Sequence, residues 1–141
     1  MNKCVLGLLI YLCSYQLAYG DEINKAERQV ATMLTVLEVC KTKSKPMYEK
    51  VLDVQLPLIL VSASAFGKDA TRLILETYPP LATSYLEDPN LNKKITLKFC
   101  NNTLFQSNEI VTHYLDKYGK QPLPSWLTTN EFKELLNDLV H

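Results

Sequence analysis

From Ile23 the apolar residues Ile23, Ala26, Val30, Met33, Leu37 and Cys40 recur at steps of three and four, while Asp21, Glu22, Lys25, Arg28 and Glu38 fall off that stripe. The spacing predicts an amphipathic helix that stops in residues 41–46, where three lysines, a serine and a proline break the pattern. Cys40 lies on the stripe, so the last turn of this helix faces the core. Between Asp53 and Lys68 there is no charge, and residues 56–61 read Leu-Pro-Leu-Ile-Leu-Val. Pro57 removes a hydrogen bond from a helix interior but suits a first turn. The expectation is therefore a short helix over 47–55 and a second over 57–66, closed by Gly67. Apolar on all sides, the second should be the central helix.

Asp69 is placed to cap a helix through Ala70, Leu73, Ile74 and Tyr78, which Pro79-Pro80 ends. Pro80 then opens another turn or two, up to Asp88-Pro89-Asn90. Residues 91–106 support two readings. Leu91, Ile95 and Phe99 keep helical spacing, whereas Ile95, Leu97 and Phe99 also alternate with Thr96 and Lys98 as in a strand. In the second case Asn101-Asn102 turns a hairpin into 103–106. A hairpin needs further sheet, and 58–61 is the one good third strand, which favours the helix. The fold class is thus all-α, a compact bundle of about six short helices stapled by one disulfide. The alternative is α+β, with a small sheet from 58–61, 95–99 and 103–106.

Further along, Thr103 with Gln106 forms a possible capping box, and Ser107 is the competing cap, for a helix through Val111, Tyr114, Leu115 and Tyr118 that Gly119 ends. Residues 121–124 read as a rigid linker. Thr128 with Glu131 makes a second capping box, Leu127 with Phe132 a hydrophobic staple, and Phe132, Leu135, Leu136, Leu139 and Val140 a buried stripe. The Leu-Pro-Leu-Ile-Leu run with its following helix, then Leu86-Glu87-Asp88-Pro89-Asn90 before Lys93-Lys94-Ile95, resembles the helix pairs of HEAT or armadillo repeats. That resemblance implies stacked antiparallel helices, over at most two units, whereas free-standing arrays need three or more. Two local likenesses, of residues 106–120 to a glutathione-transferase helix and of 127–136 to insect allergen repeats, extend to no family. The first lacks the Val-Pro turn that holds glutathione, and capping chemistry already accounts for the second.

The first twenty residues change the picture of where the chain goes. Lys3, an apolar stretch over residues 4–13 and Ala18-Tyr19-Gly20 before Asp21 have the pattern of a secretory signal peptide, too short to cross a bilayer. The expected product is a single secreted, extracellular helical domain over 21–141. Removing residues 1–20 takes Lys3 from fifteen basic residues and nothing from fifteen acidic ones, which leaves a net charge of −1. Near neutrality argues against a nucleic-acid partner, and 47% hydrophobic residues argue against disorder.

Of four cysteines, Cys40 and Cys100 remain after cleavage, an even pair expected to close in an oxidising compartment. Asn101-Asn102-Thr103 is a glycosylation sequon, with Asn101 the acceptor. No nucleophile elbow, phosphate-binding glycine loop or zinc-protease helix motif is present, and the two mature histidines, His113 and His141, have no sequence company. Glu87-Asp88 reads as a solvated loop rather than a calcium site. No catalytic residue, metal or cofactor is expected. Lys41, Lys43 and Lys45, with Lys50 nearby, form the one positive cluster, a helix-end loop whose functional alternative is a partner contact. The functional expectation is a non-enzymatic effector that offers a helix surface to an extracellular protein. The alternative is a carrier of a small apolar, lipid-like ligand with the 58–61 run as a pocket wall.

Overall fold

The computed structural model describes residues 25–119 and 124–140. The signal-peptide expectation over 1–20, the start of the first helix at Ile23, residues 121–123 of the linker and His141 lie outside the described residues. Within them the chain is all-α, with six α-helices, one 3₁₀ turn, no strand and one disulfide. The helices are α1 Lys25–Cys40, α2 Lys45–Phe66, α3 Lys68–Glu87, α4 Pro89–Lys94, α5 Leu97–Tyr118 and α6 Asn130–Val140, with the 3₁₀ turn at Ser125–Thr128.

The centre of the bundle is α1, not the apolar second half of α2. From Val30 onward every α1 residue except Glu38 is buried, including Thr32 and Thr35, because α2, α3 and α5 all pack on it. Thr35 is accommodated by donating its hydroxyl to the Ala31 carbonyl at 2.8 Å. By contrast α2 leaves Leu56 41% exposed. Chain direction follows from the juxtapositions. Cys40 at the end of α1 meets Cys100 in the first turn of α5, and Lys43 reaches Asn92 in α4. So α2 and α5 start at the disulfide end and run antiparallel to α1. Consecutive long helices are antiparallel, as the repeat resemblance implies, but α1 touches three partners at once, which a linear array does not allow.

Three expected boundaries move. Residues 45–66 form one helix with Pro57 inside it, and 68–87 another with Pro79 and Pro80 inside. A proline deprives the carbonyl four residues back of its donor. Burial on both sides outweighs that loss, since Val51, Leu58, Ile59 and Val61 in α2, and Ile74, Leu75, Tyr78 and Leu81 in α3, are all core residues. The hinge instead falls at Gly67, whose φ of 87° and ψ of −178° lie in a region open essentially to glycine alone. Gly67, rather than Asp69, holds the cap position of α3, and Asp69 sits in its first turn.

Segment 91–106 is helical throughout apart from a bend at Ile95. Asp88 caps α4 by accepting from the Asn90 and Leu91 amides at 2.8 and 3.3 Å, and Thr96 caps α5 by accepting from Phe99 at 3.2 Å. Thr103 and Ser107 are therefore interior and buried rather than caps, and Ser107 Oγ has no partner among the described residues. The turn expected at Asn101-Asn102 is instead the second turn of a 22-residue helix.

At the C-terminus Leu127 and Phe132 are both buried, as the staple requires, but the cap shifts by one residue. The Thr129 carbonyl accepts the first amide, from Lys133, while Glu131 pairs with Arg72 of α3 at 2.7 Å. Leu135 and Leu136 pack on the core, and the side chains of Leu139 and Val140 lie outside the description. Arg72 also stands 5.9 Å from the ring centre of Phe132, and Trp126 lies 4.8 Å from it on the other side of the joint. This cluster docks α6 onto α3.

The disulfide closes a 60-residue separation with its Cα atoms 5.8 Å apart and both cysteines fully buried. Cys40→Ser is expected to lower unfolding stability by about 2–5 kcal/mol, read by denaturant melts of the oxidised wild type and the variant.

Candidate functional site

Two features stand out on the outer surface: a ridge of exposed apolar side chains along α5 and a groove at the end of the bundle away from the disulfide. The face follows from helical geometry. Leu97, Asn101, Phe105, Asn108, Thr112 and Leu115 lie within a narrow sector of the 3.6-residue turn, and all six are exposed. The adjoining stripe of the same helix, Cys100, Leu104, Ser107 and Val111, is buried against the bundle. The apolar side chains of the exposed face are large, with Phe105 67%, Leu97 51% and Leu115 46% exposed, and exposed Lys98, Glu109 and Asp116 border it on the solvent side. Scattered apolar exposure is ordinary, whereas these three large side chains share one side of a single helix. Asn101, the sequon acceptor, sits on this ridge one turn from both Leu97 and Phe105, while its neighbour Cys100 points inward.

The groove, about 400 Å³, lies between the start of α1 and the ends of α2 and α5. Val30, Val61, Phe66, Ile110 and Tyr114 form its apolar wall, with exposed Glu109 and His113 on the rim. The 58–61 run thus contributes Val61 to a pocket, and Leu58 and Ile59 to the core. A second groove of about 560 Å³ shares Phe66 and is charged, with Glu27, Asp69, Arg72 and Glu76 around it. Among the described residues no cluster of histidine, cysteine or carboxylate side chains has the makings of a metal site. No helix there is long and apolar enough to cross a membrane.

The lysine loop is less uniform than its sequence. Lys41 is only 12% exposed at its side chain and pairs with Glu38 at 2.8 Å. Lys43 donates to the Asn92 carbonyl at 3.1 Å and to its side-chain oxygen, capping the end of α4, and partial burial lowers its pKa. Lys45, at the first position of α2, is exposed. Two of the three lysines therefore hold the bundle together, and one remains open to a partner.

A polar node absent from the sequence reading lies behind that loop. Gln55 of α2, buried, donates through Nε2 to Glu38 Oε2 of α1 at 2.8 Å and to the Tyr78 hydroxyl of α3 at 3.3 Å. Burial, then the Glu38 charge, pushes the Tyr78 phenol well above its ordinary range, against the smaller opposing effect of the Gln55 contact. The node ties three helices through side chains that sit far apart along the chain, so no local pattern announces it. Comparison with family models, curated proteins and solved structures gives no match to this chain.

A phenol whose folded pKa exceeds its unfolded value, about 10, adds stability that is intact below that pH and lost as pH rises through it. Wild type should therefore lose melting temperature above about pH 10 more steeply than Tyr78→Phe, a difference that also subtracts the opposite contribution of Lys43. An equal alkaline slope in both proteins would contradict the node. Within the lysine loop, Lys41→Glu sets a like charge beside Glu38 and should cost about 1–2 kcal/mol. Lys45→Glu, at a helix N-terminus, should change stability by about 0.5 kcal/mol or less. Thermal melts of the two single variants check the contrast.

Proposed function

We propose that this chain is a secreted, non-enzymatic binding protein that offers the outward face of α5 to an extracellular protein partner. The observation that carries the reading is the ridge of exposed apolar side chains from Leu97 through Phe105 to Leu115 on a helix whose inner side is fixed by the Cys100 disulfide. A ridge held this firmly binds without paying to order itself, and a large aromatic side chain near its middle is the usual kind of anchor in a protein interface. Lys45, exposed at the start of α2, is a secondary contact for an acidic partner.

A second reading rests on the groove between α1, α2 and α5. Its apolar wall and the Glu109–His113 rim suit a small apolar ligand with a polar end, which would make the chain a carrier. Organic extraction of protein purified in native form separates the two: a stoichiometric lipid-like molecule favours the carrier.

Immobilised protein should capture its partner from extracellular fluid, with a photo-crosslinking residue at position 105 marking the contact. In protein made without glycosylation, Phe105→Glu with Leu115→Glu should then weaken capture at least about tenfold, roughly 1.4 kcal/mol, with little change in the melting temperature. His113→Ala should leave capture intact. Loss of function in His113→Ala at unchanged melting temperature would instead point to chemistry at the groove rim.

A further inference from the structure

We infer that an N-linked glycan on Asn101 lies along α5 and covers Leu97 and Phe105, so that sequon occupancy sets how much of the α5 face a partner can reach. The inference rests on the exported reading of the chain and adds a regulator to the proposed binding face. Asn101 is exposed, and its sequon partner Thr103 follows in the same helix. Leu97 and Phe105 stand four residues before and four after it, and helix positions four apart bring their Cβ atoms to about 5–6 Å. They are the two most exposed large apolar side chains among the described residues. Any sugar attached at Asn101 therefore emerges between an aliphatic and an aromatic side chain, with exposed Lys98, three residues before it, to one side. The apolar C–H faces of the first sugars pack on the Phe105 ring and the Leu97 methyls. Leu115, more than three turns away, stays open.

The folded helix is a poor acceptor, which fixes the order of events. Thr103 is buried with its hydroxyl donated to the Phe99 carbonyl at 3.0 Å, and Cys100 is bonded to Cys40. The sequon is thus reachable only before α5 closes. At that stage the Asn101 side-chain nitrogen bonds to C1 of the first sugar of a lipid-linked oligosaccharide. The C1–oxygen bond to the lipid pyrophosphate breaks, the pyrophosphate leaves with that electron pair, and the amide gives up one proton. Donor and transferase are those of a glycosylating secretory pathway.

The test is expression of the full chain in a glycosylating secretory cell as wild type, Asn101→Gln, Phe105→Ala and the double variant. The same four chains made without glycosylation serve as reference. Intact mass should show one glycan on the secreted wild type and Phe105→Ala, and none where Asn101 is replaced. The glycosylated wild type should bind less of the apolar dye anilinonaphthalene sulfonate than its unglycosylated reference. Phe105→Ala should lower the melting temperature by roughly 2–4 °C when the glycan is present and by less than half of that when it is absent. Secretion of wild type without the added mass overturns the inference and leaves the exported binding protein standing. A glycan that changes neither dye binding nor the Phe105→Ala effect also overturns it, since the sugar is then a pendant and not a cover. Failure of the chain to leave the cell overturns the exported reading and the inference with it.

Discussion

Enclosure of α1 is the constraint from which the rest of this bundle follows. A helix buried on all sides from Val30 to Cys40, apart from Glu38, needs a wall in every direction, and α2, α3 and α5 supply it. Each of those three then has an inner side committed to α1 and an outer side left to solvent. The one polar position in that stretch that stays half-buried, Glu38, collects Lys41 and Gln55, so the charge that α1 takes partway into the core comes with its partners. A carboxylate left alone there would cost several kcal/mol, which is why the node and the packing of α1 are one feature.

How much of this was legible depended on whether the controlling interaction is local. The helical span ending in Cys40 was, because steps of three and four are a property of one segment; that the other sides of this helix are buried as well, from Val30 on, was not. The all-α class rested on the want of a third strand, and the cysteine pair on an even count in an oxidising compartment. The prolines misled for a physical reason: the loss of one hydrogen bond is visible in sequence, whereas the burial of Leu58, Ile59, Leu75 and Tyr78 that outweighs it is a tertiary fact. In the same way Thr96, Thr103 and Ser107 are all chemically able to cap α5. Only the bend at Ile95, where α4 turns back toward Lys43, selects Thr96.

The proposed binding surface was half legible. Asn101 is visible as a sequon, and the two lysines that became structural were visible as charges. Their partners, Glu38 at three residues' distance and Asn92 at forty-nine, could not be told apart from solvent without the fold. The ridge itself was hidden by the ambiguity of 91–106. Until residues 97–118 are known to be one helix with Leu104, Ser107 and Val111 inward, nothing places Leu97, Phe105 and Leu115 on a common line.

The character of the ridge also limits what kind of recognition it supports. On the proposed binding role, a near-neutral chain with apolar side chains at the contact draws little on long-range attraction, so encounter would proceed at the ordinary rate of unsteered proteins and depend weakly on salt. Selectivity must then come from fit against Phe105 and its neighbours, through the lifetime of the complex. That makes the ridge sensitive to anything that occupies space on it. A group attached at Asn101, within one turn of the two most exposed anchors, acts on the step that matters most for such an interface.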